Sequence, residues 1–124
     1  MFYKILSVFI GGGLGTLLRF GTYEICRKYF MLPVFGTFLV NITGCFILGF
    51  VFGIIINEIW NISNTLKLFI TVGFLGGLTT FSTFNLEIFE MIRYGKFLSA
   101  LCYMLSSCVL GLLFTYFGYL ISRT

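Results

Sequence analysis

Histidine is absent from this 124-residue sequence, proline occurs once, and only four acidic residues stand against eight lysines and arginines. Without histidine, and with Cys26, Cys45, Cys102 and Cys108 spaced so that no C-x-x-C pair forms, metal-ligand spacing is missing. The four cysteines read as small apolar packing residues in helices. There is no nucleophile with a neighbouring base and no pair of carboxyl groups facing across a cleft, which argues against an enzyme. The basic residues are scattered, so nucleic-acid binding has little support. No small-residue cleavage signal follows the apolar run 5–18, so that run is read as a retained first span. Gly11-Gly12-Gly13-Leu14-Gly15 lies inside the same run, which is not the setting of a phosphate-binding loop.

What the chain has in quantity is apolar surface. It is 59% hydrophobic, with 17 phenylalanines and 15 glycines, and its mean hydropathy is +1.06. A soluble domain this small leaves too much surface exposed to hide such a composition, whereas lipid solvates it. A spanning helix needs about 20 apolar residues, at about 1.5 Å each, to cross a core about 30 Å thick. Four stretches qualify, roughly 3–23, 34–56, 66–91 and 97–121. They predict an all-α membrane protein with a single four-helix transmembrane domain over 1–124, because helices satisfy their own backbone groups in lipid. Between the spans, 24–33 reads as a polar link, 57–65 as a loop and 93–96 as a short turn.

Four spans put both termini on one side of the membrane. Lys4, Lys67 and Arg123 then fall on that side, and Arg27, Lys28, Arg93 and Lys96 on the other. Such a small difference gives the positive-inside rule little to act on. Either something else fixes one orientation, or the chain inserts both ways and can form an antiparallel dimer.

The polar residues within the spans carry the chemistry. Gly11, Gly15 and Arg19 share a face of the first span, and the G-x-x-x-G pair admits a close neighbour. Arg19 is either a fixed positive charge beside an anion route or a side chain reaching to headgroups. Asn41, in the second span, needs hydrogen-bond partners and serves either as interhelical glue or as an ion donor. In the third span, Gly73-Phe74-Leu75-Gly76-Gly77-Leu78-Thr79-Thr80-Phe81-Ser82-Thr83-Phe84 gathers glycines and hydroxyls at mid-membrane. Gly and Thr weaken a helix interior. The cluster reads as a helix break whose freed backbone groups bind ions, the alternative being an intact helix with a hydroxyl face. Phe81 and Phe84 could offer positive ring edges to a small anion. Glu87 follows on about the same face, where a carboxylate needs pairing or donors. Tyr103, Ser107 and Gly111 form a mildly polar stripe on the fourth span.

GGGLGTLLRF, GTFLVNITG and GFLGGLTTFSTFNLE, in that order, resemble the corresponding blocks of the small fluoride channels of the Fluc (CrcB) family. The resemblance covers all four spans and implies an antiparallel, dual-topology homodimer with a broken third helix and two fluoride pathways. It implies that Asn41, Phe81, Ser82, Thr83, Phe84 and Tyr103 line the fluoride pathway. Arg19 matches the motif arginine and Glu87 a vestibule glutamate. The backbone carbonyls of Gly76 and Thr79 would hold a structural sodium ion at the dimer centre, and no organic cofactor is implied. The implied biology is passive efflux across a cell membrane, that of a bacterium, keeping cytoplasmic fluoride low. A heterodimer with a paralogous subunit is a variant of this reading. Two other classes stand beside it. A small multidrug-type proton-coupled transporter needs a carboxylate inside the first span, where Glu24 lies only at the end. A non-conducting membrane subunit would use the glycine faces but not the polar break.

Overall fold

The computed structural model describes residues 1–30 and 33–123. Helix α1 is Phe2–Phe30, α2 is Pro33–Ile56, and α6, the last, is Phe97–Ile121. Between them the third span is built from four pieces: α3 (Asn64–Leu68), a π-helical segment (Phe69–Phe74), α4 (Leu75–Leu78) and α5 (Phe81–Arg93). No strand occurs among the described residues. Four helical stretches, Asn64–Arg93 among them, are long and apolar enough to cross a bilayer.

The segment expected to be a polar link is helical up to Phe30. Polar residues end a span without ending its helix. No breaker stands between Glu24 and Phe30, and Arg27 donates to Glu24 at 2.7 Å one turn away. At about 1.5 Å per residue the 29 residues of α1 reach about 44 Å, so its last turns project beyond the hydrocarbon core. Met31 and Leu32, also assigned to the link, lie outside the described residues. Pro33 opens α2, a position where its missing N–H has no helical partner to lose. Ser63 caps α3 by accepting from the Leu66 N–H. Gly95, with φ of +71°, turns the chain between α5 and α6.

Apolar burial does not drive helices together in lipid, where tails are as apolar as leucine; close backbone approach does. Two glycine seams supply it. Along the first, Gly11, Gly12 and Gly15 of α1 lie on the backbone of the third span. A Cβ on Gly11 would strike the Phe69 oxygen, one on Gly15 the Phe74 oxygen, and one on Gly77 the Gly12 oxygen. Along the second, α2 and α6 run in the same direction. A Cβ on Gly49 would strike the Thr115 oxygen, and one on Gly118 the Phe46 oxygen. Helix α5 docks on α6 and α2. The buried side chains Val40, Leu75 and Leu78 sit where α2 meets α4.

Candidate functional site

The third span breaks at Thr79 and Thr80. Thr79 has φ −83° and ψ 155°, and Thr80 has φ −149° and ψ 125°, both extended. The break is held open by named groups. Asn41, reaching from α2, donates through Nδ2 to the Thr80 carbonyl at 3.0 Å and accepts at Oδ1 from the Thr80 N–H at 2.8 Å. One amide side chain thus takes both backbone groups of the residue that a continuous helix would have bonded to itself. Thr80 in turn caps α5, its Oγ1 accepting from the Thr83 N–H at 3.3 Å.

These bonds have a consequence upstream. In a continuous helix the Thr80 N–H would go to the Gly76 carbonyl and the Thr83 N–H to the Thr79 carbonyl. Here Asn41 takes the first N–H and the Thr80 hydroxyl takes the second. The carbonyls of Gly76 and Thr79 are released from helical duty, at the negative end of α4. Arg19 Nη1 donates to the Thr79 oxygen at 3.2 Å, which leaves that carbonyl a second lone pair. Immediately beyond lies the positive, N–H-bearing end of α5. A single break therefore presents acceptor groups and donor groups within a few residues of each other.

The break opens onto a cleft of about 380 Å³ lined by Asn41, Gly76, Thr79, Phe81, Phe84 and Ser107, among others. The Ser107 Oγ is buried and has no hydrogen-bond partner among the described residues, so its O–H is a donor in waiting. Phe81 and Phe84 stand with ring centroids 6.1 Å apart and planes tilted by 35°. Phe84 is 8% exposed, whereas Phe81 is 78% exposed and projects from this chain. Ser82 and Thr83 gather around the cap: Ser82 Oγ is 3.3 Å and Thr83 Oγ1 3.2 Å from Thr80 Oγ1.

A second polar cluster lies one turn further along α5. Glu87 Oε2 accepts from the Tyr103 hydroxyl at 2.8 Å, and Glu87 Oε1 from Thr37 Oγ1 at 2.6 Å. Thr37 Oγ1 also lies 3.2 Å from the Tyr23 hydroxyl. Having one hydrogen to give, Thr37 gives it to the carboxyl and takes that of the phenol. All four spans contribute one residue to this chain of three hydroxyls and a carboxyl group. Thr37 is fully buried, at 0% exposure. Tyr103 joins the two clusters by meeting Phe84 edge-on, at 5.1 Å between centroids and 61° between planes.

The structure thus places Asn41, Phe81, Phe84, Gly76 and Thr79 around one cleft. Ser82 and Thr83 lie at its α5 rim, Arg19 behind the Thr79 carbonyl, and Glu87 with Tyr103 in the neighbouring cluster. Sequence reasoning gave no site role to Thr80 or Ser107, though it named both within polar stretches, and it passed over Thr37 and Tyr23. Thr80 carried a signal, as a capping residue type just ahead of a helical stretch. Ser107 carried one too, between Tyr103 and Gly111 on a four-residue stripe. Tyr23 and Thr37 carried none, because their meeting depends on how α1 crosses α2. There the Tyr23 ring occupies the space a Cβ on Gly36 would need.

Comparison with known proteins gives a consistent answer. The family described as CrcB-like protein, camphor resistance (CrcB), matches residues 6–119. A fluoride-specific ion channel FluC of Aquifex aeolicus is 38% identical over 122 residues, 97% of each chain. FluC of Azobacteroides pseudotrichonymphae is 37% identical, over 99% of this chain and 98% of that one. FluC 1 of Staphylococcus aureus is 43% identical over 93% of both.

Proposed function

This chain belongs to the CrcB family, and from that premise we propose that it is a fluoride channel whose conducting route follows α5 from the Glu87 cluster to the break at Thr79 and Thr80. It is a multi-pass membrane protein, and its work is conduction, not catalysis. The observation that carries the reading is the Asn41 clamp, which holds a helix open at mid-membrane and aims donor groups into a cleft.

Fluoride holds its water tightly, so a route for it must replace that water with donors at close range. Asn41 has a second amide N–H beyond the one given to Thr80. Ser82, Thr83 and Ser107 supply hydroxyls, and the N-terminus of α5 supplies backbone N–H groups and a positive dipole end. Phe81 and Phe84 supply ring edges, whose partial positive charge suits a small anion. Glu87 receives hydrogen bonds from Thr37 and Tyr103, which occupy its oxygens and hold the Tyr103 ring beside Phe84. Arg19 adds a positive charge behind the break. The route needs no nucleotide, so flux runs down the fluoride gradient; with fluoride higher inside, that is efflux. Among alternatives, a proton-coupled transporter loses its residue: Glu24 is exposed and paired with Arg27 near the end of α1.

A monovalent cation fits the other half of the break. The Gly76 and Thr79 carbonyls are freed by the bonds of Asn41 and Thr80, and a Cβ on Gly76 would meet nothing within 4 Å among the described residues. Neutral oxygen donors without a carboxylate suit sodium better than a divalent ion. Bound there, sodium would supply positive charge and a tie between subunits. A second copy of the chain, inserted in the opposite sense, is the partner that suits the projecting Phe81 and the even spread of Lys and Arg. A paralogous subunit would meet the same surface.

The test is efflux from liposomes that hold the purified protein and potassium fluoride, followed with a fluoride electrode after valinomycin is added. Rapid fluoride release with negligible chloride release supports the reading. Equal release of both ions, or of neither, overturns it.

A further inference from the structure

Arg19 is half-buried, donates to the Thr79 carbonyl at 3.2 Å, and forms no ion pair with a carboxyl group among the described residues. The same carbonyl is one of the two oxygens proposed above to hold a cation. Both lone pairs of that oxygen then face positive partners, and the guanidinium stands within about 6 Å of the ion, the sum of the observed hydrogen bond and an ordinary oxygen–metal distance. We propose that Arg19 is the residue that sets the affinity and charge preference of this cation site. The inference rests on the cation reading and deepens it.

The reasoning is electrostatic. The site has carbonyl dipoles but no carboxylate, so nothing in it cancels the arginine charge. Repulsion between Arg19 and the guest scales with the charge of the guest, and a divalent ion meets twice the opposition that sodium meets. Arg19 therefore keeps sodium binding weak enough to respond to its concentration, and it keeps calcium out. It also withdraws electron density from the Thr79 oxygen through its hydrogen bond, which acts in the same direction.

The experiment measures the melting temperature of the purified full-length protein in detergent against sodium chloride, with ionic strength held constant by an organic-cation chloride. Native protein, Arg19→Gln and Arg19→Lys are compared, and calcium chloride is titrated into the native protein. Glutamine keeps an amide donor for the Thr79 carbonyl and loses the charge; lysine keeps both. The half-stabilising sodium concentration falls about tenfold in Arg19→Gln and stays within about threefold of native in Arg19→Lys. Calcium gives the native protein no stabilisation at concentrations where sodium does. Equal shifts in both variants, or no shift in Arg19→Gln, overturn the assignment while leaving the cation site standing. Calcium stabilisation of the native protein at or below the sodium concentration overturns it without recourse to any variant. A native melting temperature indifferent to sodium removes the cation site, and the Arg19 assignment with it.

Discussion

Replacing Asn41 with alanine removes the clamp on the helix break. Two hydrogen bonds are lost, at 3.0 and 2.8 Å, and both backbone groups of Thr80, a residue 9% exposed, lose their partners. A buried polar group left unpaired costs about 1–3 kcal/mol, so the two together cost about 2–4 kcal/mol after partial relaxation. The chain has one way to recover part of that. If Thr79 and Thr80 turn from extended to helical conformation, the Thr80 N–H returns to the Gly76 carbonyl and the third span approaches a continuous helix. That closure withdraws the Gly76 carbonyl and re-aims the first turn of α5, so Asn41→Ala loses conduction by recovering local order. An open form destabilised by about 2–4 kcal/mol relative to the closed one is populated, and conducts, about 30- to 1000-fold less. The assay is fluoride efflux from liposomes, paired with amide hydrogen exchange over residues 76–83. The reasoning predicts a loss of flux of at least about thirtyfold, with helix content unchanged or slightly raised. Native flux in Asn41→Ala, or a chain that unfolds generally without any local change at the break, would refute it.

Phe81→Ile removes a ring that is 78% exposed on this chain, so each subunit keeps its helix packing and its helical content, while fluoride flux falls at least about tenfold for want of a ring edge; circular dichroism and efflux measure the two sides. Thr37→Val leaves the Glu87 carboxyl with one donor and costs about 1–3 kcal/mol of stability together with a loss of flux, whereas Thr37→Ser restores both, which thermal melts and efflux will show. Gly15→Ala drives a Cβ into the Phe74 backbone and destabilises by about 1–3 kcal/mol or more, while Gly13→Ala, with nothing within 4 Å, is neutral or slightly stabilising; melting temperatures of the pair test the glycine seam.

The four spans and the position of the break could be read from the sequence because lipid makes their physics one-dimensional. Apolar length gives the span, and a cluster of glycine and threonine at mid-span gives the interruption. What the sequence could not say was how the break is held. Asn41 has an amide that must be satisfied, yet nothing in the order of residues shows that both its atoms close on Thr80, 39 positions away. The Tyr23–Thr37–Glu87–Tyr103 chain was hidden for the same reason, since each span supplies one member and only helix crossing brings them together. The end of α1 was misplaced because polarity marks where lipid stops, and a helix stabilised by an Arg27–Glu24 pair does not stop there.

The most direct test of the account is the zero-current potential of the purified protein in a planar bilayer, with a fluoride gradient imposed against constant chloride and then the reverse. The account predicts a potential that tracks fluoride at about 59 mV per tenfold gradient and ignores the chloride gradient. A potential set by chloride, or no current when fluoride is the only permeant anion, would contradict it.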